Sequence, residues 1–86
     1  MAEWRLDQDR GMPLYQQLMQ LIEEKIKAGD LVPGRALPAE RKLAEELKVN
    51  RSTVIRALEE LTTQGILIRK RGSGTFVNPN KWGMQT

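Results

Sequence analysis

Two clusters of residues in this chain have the types and spacing to do chemistry, and both would act on a polyanion. The first is Asn50-Arg51-Ser52-Thr53, with Arg56 one turn further on. Asn is a strong N-cap residue. It would place Arg51, Ser52 and Thr53 in the first turn of a helix, where unpaired backbone N–H groups and the positive end of the dipole favour a phosphate. An Arg there also has the planar fork that pairs with a guanine edge in the major groove of DNA. The second cluster is Arg69-Lys70-Arg71 running into Gly72-Ser73-Gly74, where small residues let a backbone approach a phosphate or enter a minor groove. On a strand, Arg69 and Arg71 share one face and Lys70 takes the other, so the three would not meet one surface. Contact is therefore expected of Arg71 and the glycine-containing tip, while Arg69 and Lys70 stay unassigned. The ordinary alternatives are a solvated helix face, with Arg51 and Arg56 pairing to Glu59 or Glu60, and an edge hairpin protected by charge.

Other chemistries find little to work with. Gly72-Ser73-Gly74-Thr75 is followed by Phe76-Val77 rather than a helix, and no Gly-Lys-Ser/Thr follows, which argues against a nucleotide-phosphate loop. Glu23-Glu24, Glu45-Glu46 and Glu59-Glu60 are adjacent carboxylates, but neighbours on a helix point ~100° apart and so form no acid/base dyad alone. The chain has no Cys and no His. Disulfides and thiolate metal sites are thereby excluded, and the commonest general base and metal ligand are missing together. No catalytic, cofactor or metal site is expected in this chain.

The elements that must position these residues follow from periodicity. Pro13 opens a helix in which Leu14, Leu18, Leu21, Ile22 and Ile26 form one apolar stripe ending near Ala28, with Gly29 as the breaker. Asp30 to Pro38 is a connector, with one short strand around Arg35 to Leu37. A second helix from about Ala39 to Leu47 turns Leu43, Ala44 and Leu47 inward and leaves Glu40, Arg41, Lys42, Glu45 and Glu46 outside. Lys48-Val49-Asn50 makes a tight turn. The third helix, about Arg51 to Thr63, buries Val54, Ala57, Leu58 and Leu61 at i, i+3, i+4 and i+7. Ile66-Leu67-Ile68 and Thr75-Phe76-Val77 flank the glycine-containing tip as a hairpin. Three helices followed by a two-stranded wing make an α+β, mainly α, winged helix-turn-helix.

At 86 residues this is one small domain or a fragment of a larger protein. Net charge is +3 and uneven: residues 1–40 carry five Lys/Arg against seven Asp/Glu, and residues 41–86 carry nine against four. The basic half is the one that holds both clusters, as a polyanion partner requires. No run approaches the ~18 apolar residues of a membrane span, and the N-terminus lacks the apolar core of a signal peptide, so a soluble, cytoplasmic protein is expected. Trp4 and Leu6 could dock residues 1–12 as a short arm. Residues 79–86 read as the start of a linker to a missing effector domain, with Trp82 docking back or meeting that neighbour.

The segments Pro13 to Leu18 (PLYQQL), AGDLVPGRALPAERKLAEELKVNRSTVIRALEEL and RKRGSGTFV resemble the N-terminal winged-helix domain of the GntR family of bacterial transcription regulators. The resemblance covers roughly Pro13 to Val77. It implies a domain over 13–78, with helix-turn-helix 39–58 and wing 66–77. It further implies that Arg41 at the start of the second helix, Asn50, Arg51, Ser52 and Thr53 on the third, and Gly72 with its neighbours contact DNA. Many members have Ser where this chain has Ala39, which removes a side-chain cap. Many have Arg where it has Ile55, which shifts the expected cation to Arg56. The two ends, WRLD…GMPLYQQL and GSGTFVNPNKWG, look most like the MocR subgroup, which would add an aminotransferase-like domain binding pyridoxal phosphate after this chain.

The resulting expectation is a sequence-specific DNA-binding module of a bacterial transcription regulator. The third helix would enter the major groove, with Arg51 and Arg56 reading base edges and Arg41, Ser52 and Thr53 setting register on phosphates. The wing, through Arg71, Gly72, Ser73 and Gly74, would reach the flanking minor groove. Partners would be a double-stranded operator, an unidentified effector and, in the full-length protein, a second copy in a homodimer. The rival is a winged helix that binds protein through the same surfaces.

Overall fold

In the computed structural model, which describes Leu6 and residues 11–79, the chain forms helix α1 (Leu14–Ala28), α2 (Glu40–Leu47) and α3 (Arg51–Thr63), followed by strands β1 (Leu67–Lys70) and β2 (Gly74–Val77). Three helices and a two-stranded antiparallel wing are the architecture expected. The first helix starts one residue later than Pro13, which sits outside it with extended ψ 142° and accepts from the N–H groups of Gln16 and Gln17. At its other end Gly29 takes φ 90°, a left-handed value cheap only for glycine, and the N–H groups of Asp30 and Leu31 return to the Lys25 carbonyl.

The apolar stripes meet in one core. Leu18, Ile22 and Ile26 of α1 pack with Leu43, Ala44 and Leu47 of α2 and with Val54, Ala57, Leu58 and Leu61 of α3; Ile66, Leu67 and Val77 close it from the wing. Each fully buried Leu contributes about 1.5–3 kcal/mol relative to exposure. Leu6 packs on the rim of this core, whereas Trp4 and Trp82 lie outside the described residues. Two polar residues share the inner face of α1, which the stripe did not foretell: Gln17, whose Nε2 donates to the Met12 carbonyl at 2.8 Å, and Lys25, only 4% exposed.

The wing begins and ends on the core. Its register pairs Leu67 with Val77 and Lys70 with Gly74, so Ile66 precedes the strand that was expected to start with it. The connector supplies the expected third segment as a single bridge, Ala36 to Phe76, flanked by Leu37 N–H to Thr75 O (2.8 Å) and Val77 N–H to Arg35 O (3.2 Å). These bonds tie β2 to the chain that leads into α2. The wing and the first turn of α2 are thereby held together.

The turn between α2 and α3 depends on Lys48, the one described non-glycine residue with positive φ (60°). Its backbone N–H and that of Val49 both return to the Ala44 carbonyl, and Val49 packs on the core edge. A left-handed conformation costs a side-chain-bearing residue ~1–2 kcal/mol, partly offset because glycine loses more entropy on folding. Lys48→Gly should therefore stabilise the domain by up to about 1 kcal/mol, seen as a higher urea midpoint at unchanged m-value; a lower midpoint would mean the turn is not strained.

Candidate nucleic-acid interface

α3 is half inside and half out. Val54, Ala57, Leu58 and Leu61 are buried, which turns Arg51, Ser52 and Arg56 to solvent with Thr53 and Ile55 at the margin. Asn50 stands at the N-cap position with extended backbone (φ −68°, ψ 147°), but its side chain makes no cap hydrogen bond. The expected side-chain cap is thus not formed. Its carbonyl instead accepts from the Thr53 N–H at 3.0 Å, a tight first turn that satisfies the same donor. The Asn50 side chain stays exposed, and the Arg51 and Ser52 N–H groups begin the helix without a side-chain acceptor.

The starts of α2 and α3 and the wing enclose a surface groove of about 390 Å³. Arg41, Arg51, Arg69, Lys70 and Arg71 all border it. Strand alternation put Arg69 and Arg71 on one face and Lys70 on the other, and the groove departs from that by taking in Lys70, the last residue of β1, whose register partner Gly74 has no side chain. Lys70 still obeys the alternation in part, its Nζ lying 5.2 Å from the centroid of the Phe76 ring. At the tip the Ser73 N–H closes a turn on the Lys70 carbonyl (2.9 Å), and Gly72 supplies the positive φ of 79° at its third position.

Glu40 is the residue that periodicity misplaced. Read as part of the solvated face of α2, it is instead drawn against the wing, its side chain 19% exposed. One carboxylate oxygen accepts from Arg69 Nη2 at 2.8 Å, and the other lies 3.8 Å from Arg51 Nη2. A single acid therefore joins the first turn of α2, the first turn of α3 and the wing. Of the two contacts only that with Arg69 is a hydrogen bond, so Glu40 orients Arg69 and attracts Arg51 without fixing it. Only the tertiary fold brings Arg69 to it, across 29 residues of chain. Its type and place in the first turn of α2 carried no distinguishing signal.

Arg56 goes the other way. Its guanidinium stacks over Tyr15 of α1, 4.0 Å from the ring centroid, and Nη2 donates to the phenolic oxygen at 3.3 Å. Tyr15, rather than the neighbouring Glu59 or Glu60, is its partner among the described residues. Arg41 and Arg51 thus gather with the wing residues around one groove, whereas Ser52, Thr53 and Arg56 border Leu14 and Tyr15 on the α1 side of α3. Ser73 is exposed at the tip but does not border the groove.

The sequence model described as "Bacterial regulatory proteins, gntR family" matches residues 14–77. The chain belongs to the GntR family. Among its relatives, the uncharacterized HTH-type transcriptional regulator YisV of Bacillus subtilis is 37% identical over all 86 residues, which make up 18% of that protein. The HTH-type transcriptional repressor NagR of the same organism is 40% identical over 76 residues, 88% of this chain and 31% of NagR. The crystal structure of AraR(DBD) in complex with operator ORX1 superposes with a TM-score of 0.79 at 32% identity, covering 85% of this chain and 93% of that one. The chain thus spans less than a third of these two sequence relatives, and nearly the whole of the AraR domain.

Because both arginines that hold Glu40 are substantially exposed, 62% for Arg51 and 40% for Arg69, the ion pairs themselves contribute little stability. Glu40→Gln should change unfolding free energy by less than about 1 kcal/mol, while speeding amide exchange in β1 and β2 relative to α1. Equal exchange in the wing of both proteins would show that Glu40 does not anchor it.

Proposed function

We infer that this domain is a sequence-specific DNA-binding module of a bacterial transcription regulator, with α3 in the major groove and the wing along the flanking minor groove. The observation that carries this reading is the groove itself. Five cations from three elements face one open surface around a single acid, beside a helix whose first turn points its backbone donors outward. The AraR domain, whose fold this chain shares over most of its length, was solved on an operator, and NagR is named a transcriptional repressor.

Within the interface, Arg51 is assigned to base edges and Arg41, Asn50, Ser52 and Thr53 to phosphates at the helix starts. Arg71 with Gly72, Ser73 and Gly74 would follow the backbone into the minor groove. Glu40 orients Arg69 for this through a 2.8 Å hydrogen bond. Each of the cations is exposed, so binding would exchange condensed counterions for protein charge.

Because the chain spans less than a third of YisV or NagR, dimerisation and effector response are proposed to reside in a further part of the regulator. The MocR assignment stays a proposal of the same kind. It draws on the two ends of the sequence, WRLD…GMPLYQQL and GSGTFVNPNKWG. The relatives named above do not add support for it, YisV showing only that more than four-fifths of its own length lies beyond its match. NagR leaves about two-thirds of its length beyond its own match, so relatives of different sizes carry this domain. Pyridoxal phosphate would belong to an added domain, whereas the cations described here line surface grooves. A cytoplasmic location follows from the same reading, since the operator is chromosomal. Among the described residues no helix is long and apolar enough to cross a membrane.

If about five phosphates are neutralised, log affinity should fall with log salt at a slope of roughly −4 to −5, measured by fluorescence anisotropy on duplex DNA. A slope near zero would overturn the reading. On an operator selected from randomised duplexes, Arg51→Ala should cost ~1–3 kcal/mol of discrimination against mixed-sequence DNA; an unchanged ratio would reassign Arg51 to the backbone.

A further inference from the structure

On the α1 side of α3 the expectations above used Ser52, Thr53 and Arg56 but gave no role to the α1 residues that face them. There Leu14 and Tyr15 of α1 face Ser52, Thr53 and Arg56 of α3 across a second groove of about 440 Å³. Tyr15 stands beside the apolar stripe of α1. Its ring does pack on the core margin. Its hydroxyl does something else.

The phenolic oxygen accepts two hydrogen bonds, from Arg56 Nη2 at 3.3 Å and from Gln16 Nε2 at 3.2 Å. A tyrosine hydroxyl has two lone pairs and one hydrogen. With both lone pairs engaged by donors, only the hydrogen remains for a ligand, and that ligand must be an acceptor. Beside it stands the Arg56 guanidinium, its central carbon 4.0 Å from the ring centroid, a contact that leaves fewer rotamers to be lost on binding. Ser52 and Thr53 add two hydroxyls on the same groove. Every polar side chain on this groove can donate, and the only charge on it is positive.

The charge pattern also limits which side of Tyr15 is used. On its far side the surface is lined by Gln16, Met19, Gln20, Glu23 and Glu60, whose two carboxylates repel an anion. Tyr15 thus stands on a border between an acidic surface and a basic one. An anionic ligand is confined to the side that continues into the first turn of α3.

We propose that this α1–α3 groove is a second DNA-backbone site. In it Arg56 and the Tyr15 hydroxyl bind one phosphodiester group, and Tyr15 acts in addition as the positioning residue for Arg56. This deepens the DNA-binding reading and rests on it: the duplex would be gripped on both sides of α3, by the wing groove on one side and by this groove on the other. Arg56 is thereby separated from Arg51. It is a backbone contact rather than a reader of bases.

The test uses the 86-residue chain with a mixed-sequence DNA duplex, anisotropy titrations across a salt series, and thermal melts to verify folding. Arg56→Ala should make the slope of log affinity against log salt shallower by about 0.9, one phosphate contact. Tyr15→Phe keeps the ring under the guanidinium and removes only the hydroxyl; it should weaken binding about tenfold with the slope retained. In an Arg56→Ala background, Tyr15→Phe should have a much smaller effect, because the two groups serve one phosphate. An unchanged slope for Arg56→Ala, fully additive losses, or a loss seen only on a selected operator and not on the mixed duplex would each overturn the proposal. A wild-type slope near zero would instead overturn the DNA-binding reading beneath it.

Discussion

The structure depends on one constraint: α3 must bury a face and offer a face at the same time. Val54, Ala57, Leu58 and Leu61 enter the core between α1 and α2, and that burial leaves no rotational freedom for the opposite side. Arg51, Ser52 and Arg56 consequently emerge at fixed angles. The remaining elements serve this placement. α1 supplies Leu18, Ile22 and Ile26 as the floor, and α2 turns through Lys48 to start α3 from the right point. The wing closes the core with Leu67 and Val77, so that its basic tip projects beside the helix starts.

Charge is then distributed over that frame by contacts between elements. Glu40 draws Arg51 and Arg69 toward one another across α3 and the wing, and Tyr15 draws Arg56 toward α1. Two arginines on the same helix are thus pulled to opposite flanks. The departures from the family pattern fit the same arrangement. Ile55, where many members have Arg, is half-buried between them, and Ala39 leaves α2 without a side-chain cap while Glu40 in its first turn complements the dipole.

Much of the fold could be read locally because its determinants are local. The 3.6-residue repeat of α3, the stripe of α1 and the Gly29 stop each lie within one stretch of chain, and the helices formed within a residue or so of the expected bounds. The wing was legible for the same reason, as β-rich residues around a glycine turn. Readings at the level of single contacts fared differently. Asn50 has the chemistry of a side-chain cap but leaves that bond unmade, since the backbone carbonyl satisfies Thr53 first. Gln17 and Lys25 look like surface residues by type and are buried by the position of their neighbours.

What the sequence by itself determined is therefore the set of elements, their order, the apolar faces and the excess of cations in the second half of the chain. These follow from periodicity and composition. Only the tertiary structure decided how the cations are presented. The partners of Arg56 and Arg69 lie 41 and 29 residues away, and no local pattern encodes a meeting at that separation. Glu40 and Tyr15 became functional candidates when core packing brought three elements to one acid and two helices to one phenol. The physical reason is that helix formation depends on neighbours along the chain, whereas the direction of a charged side chain depends on neighbours in space.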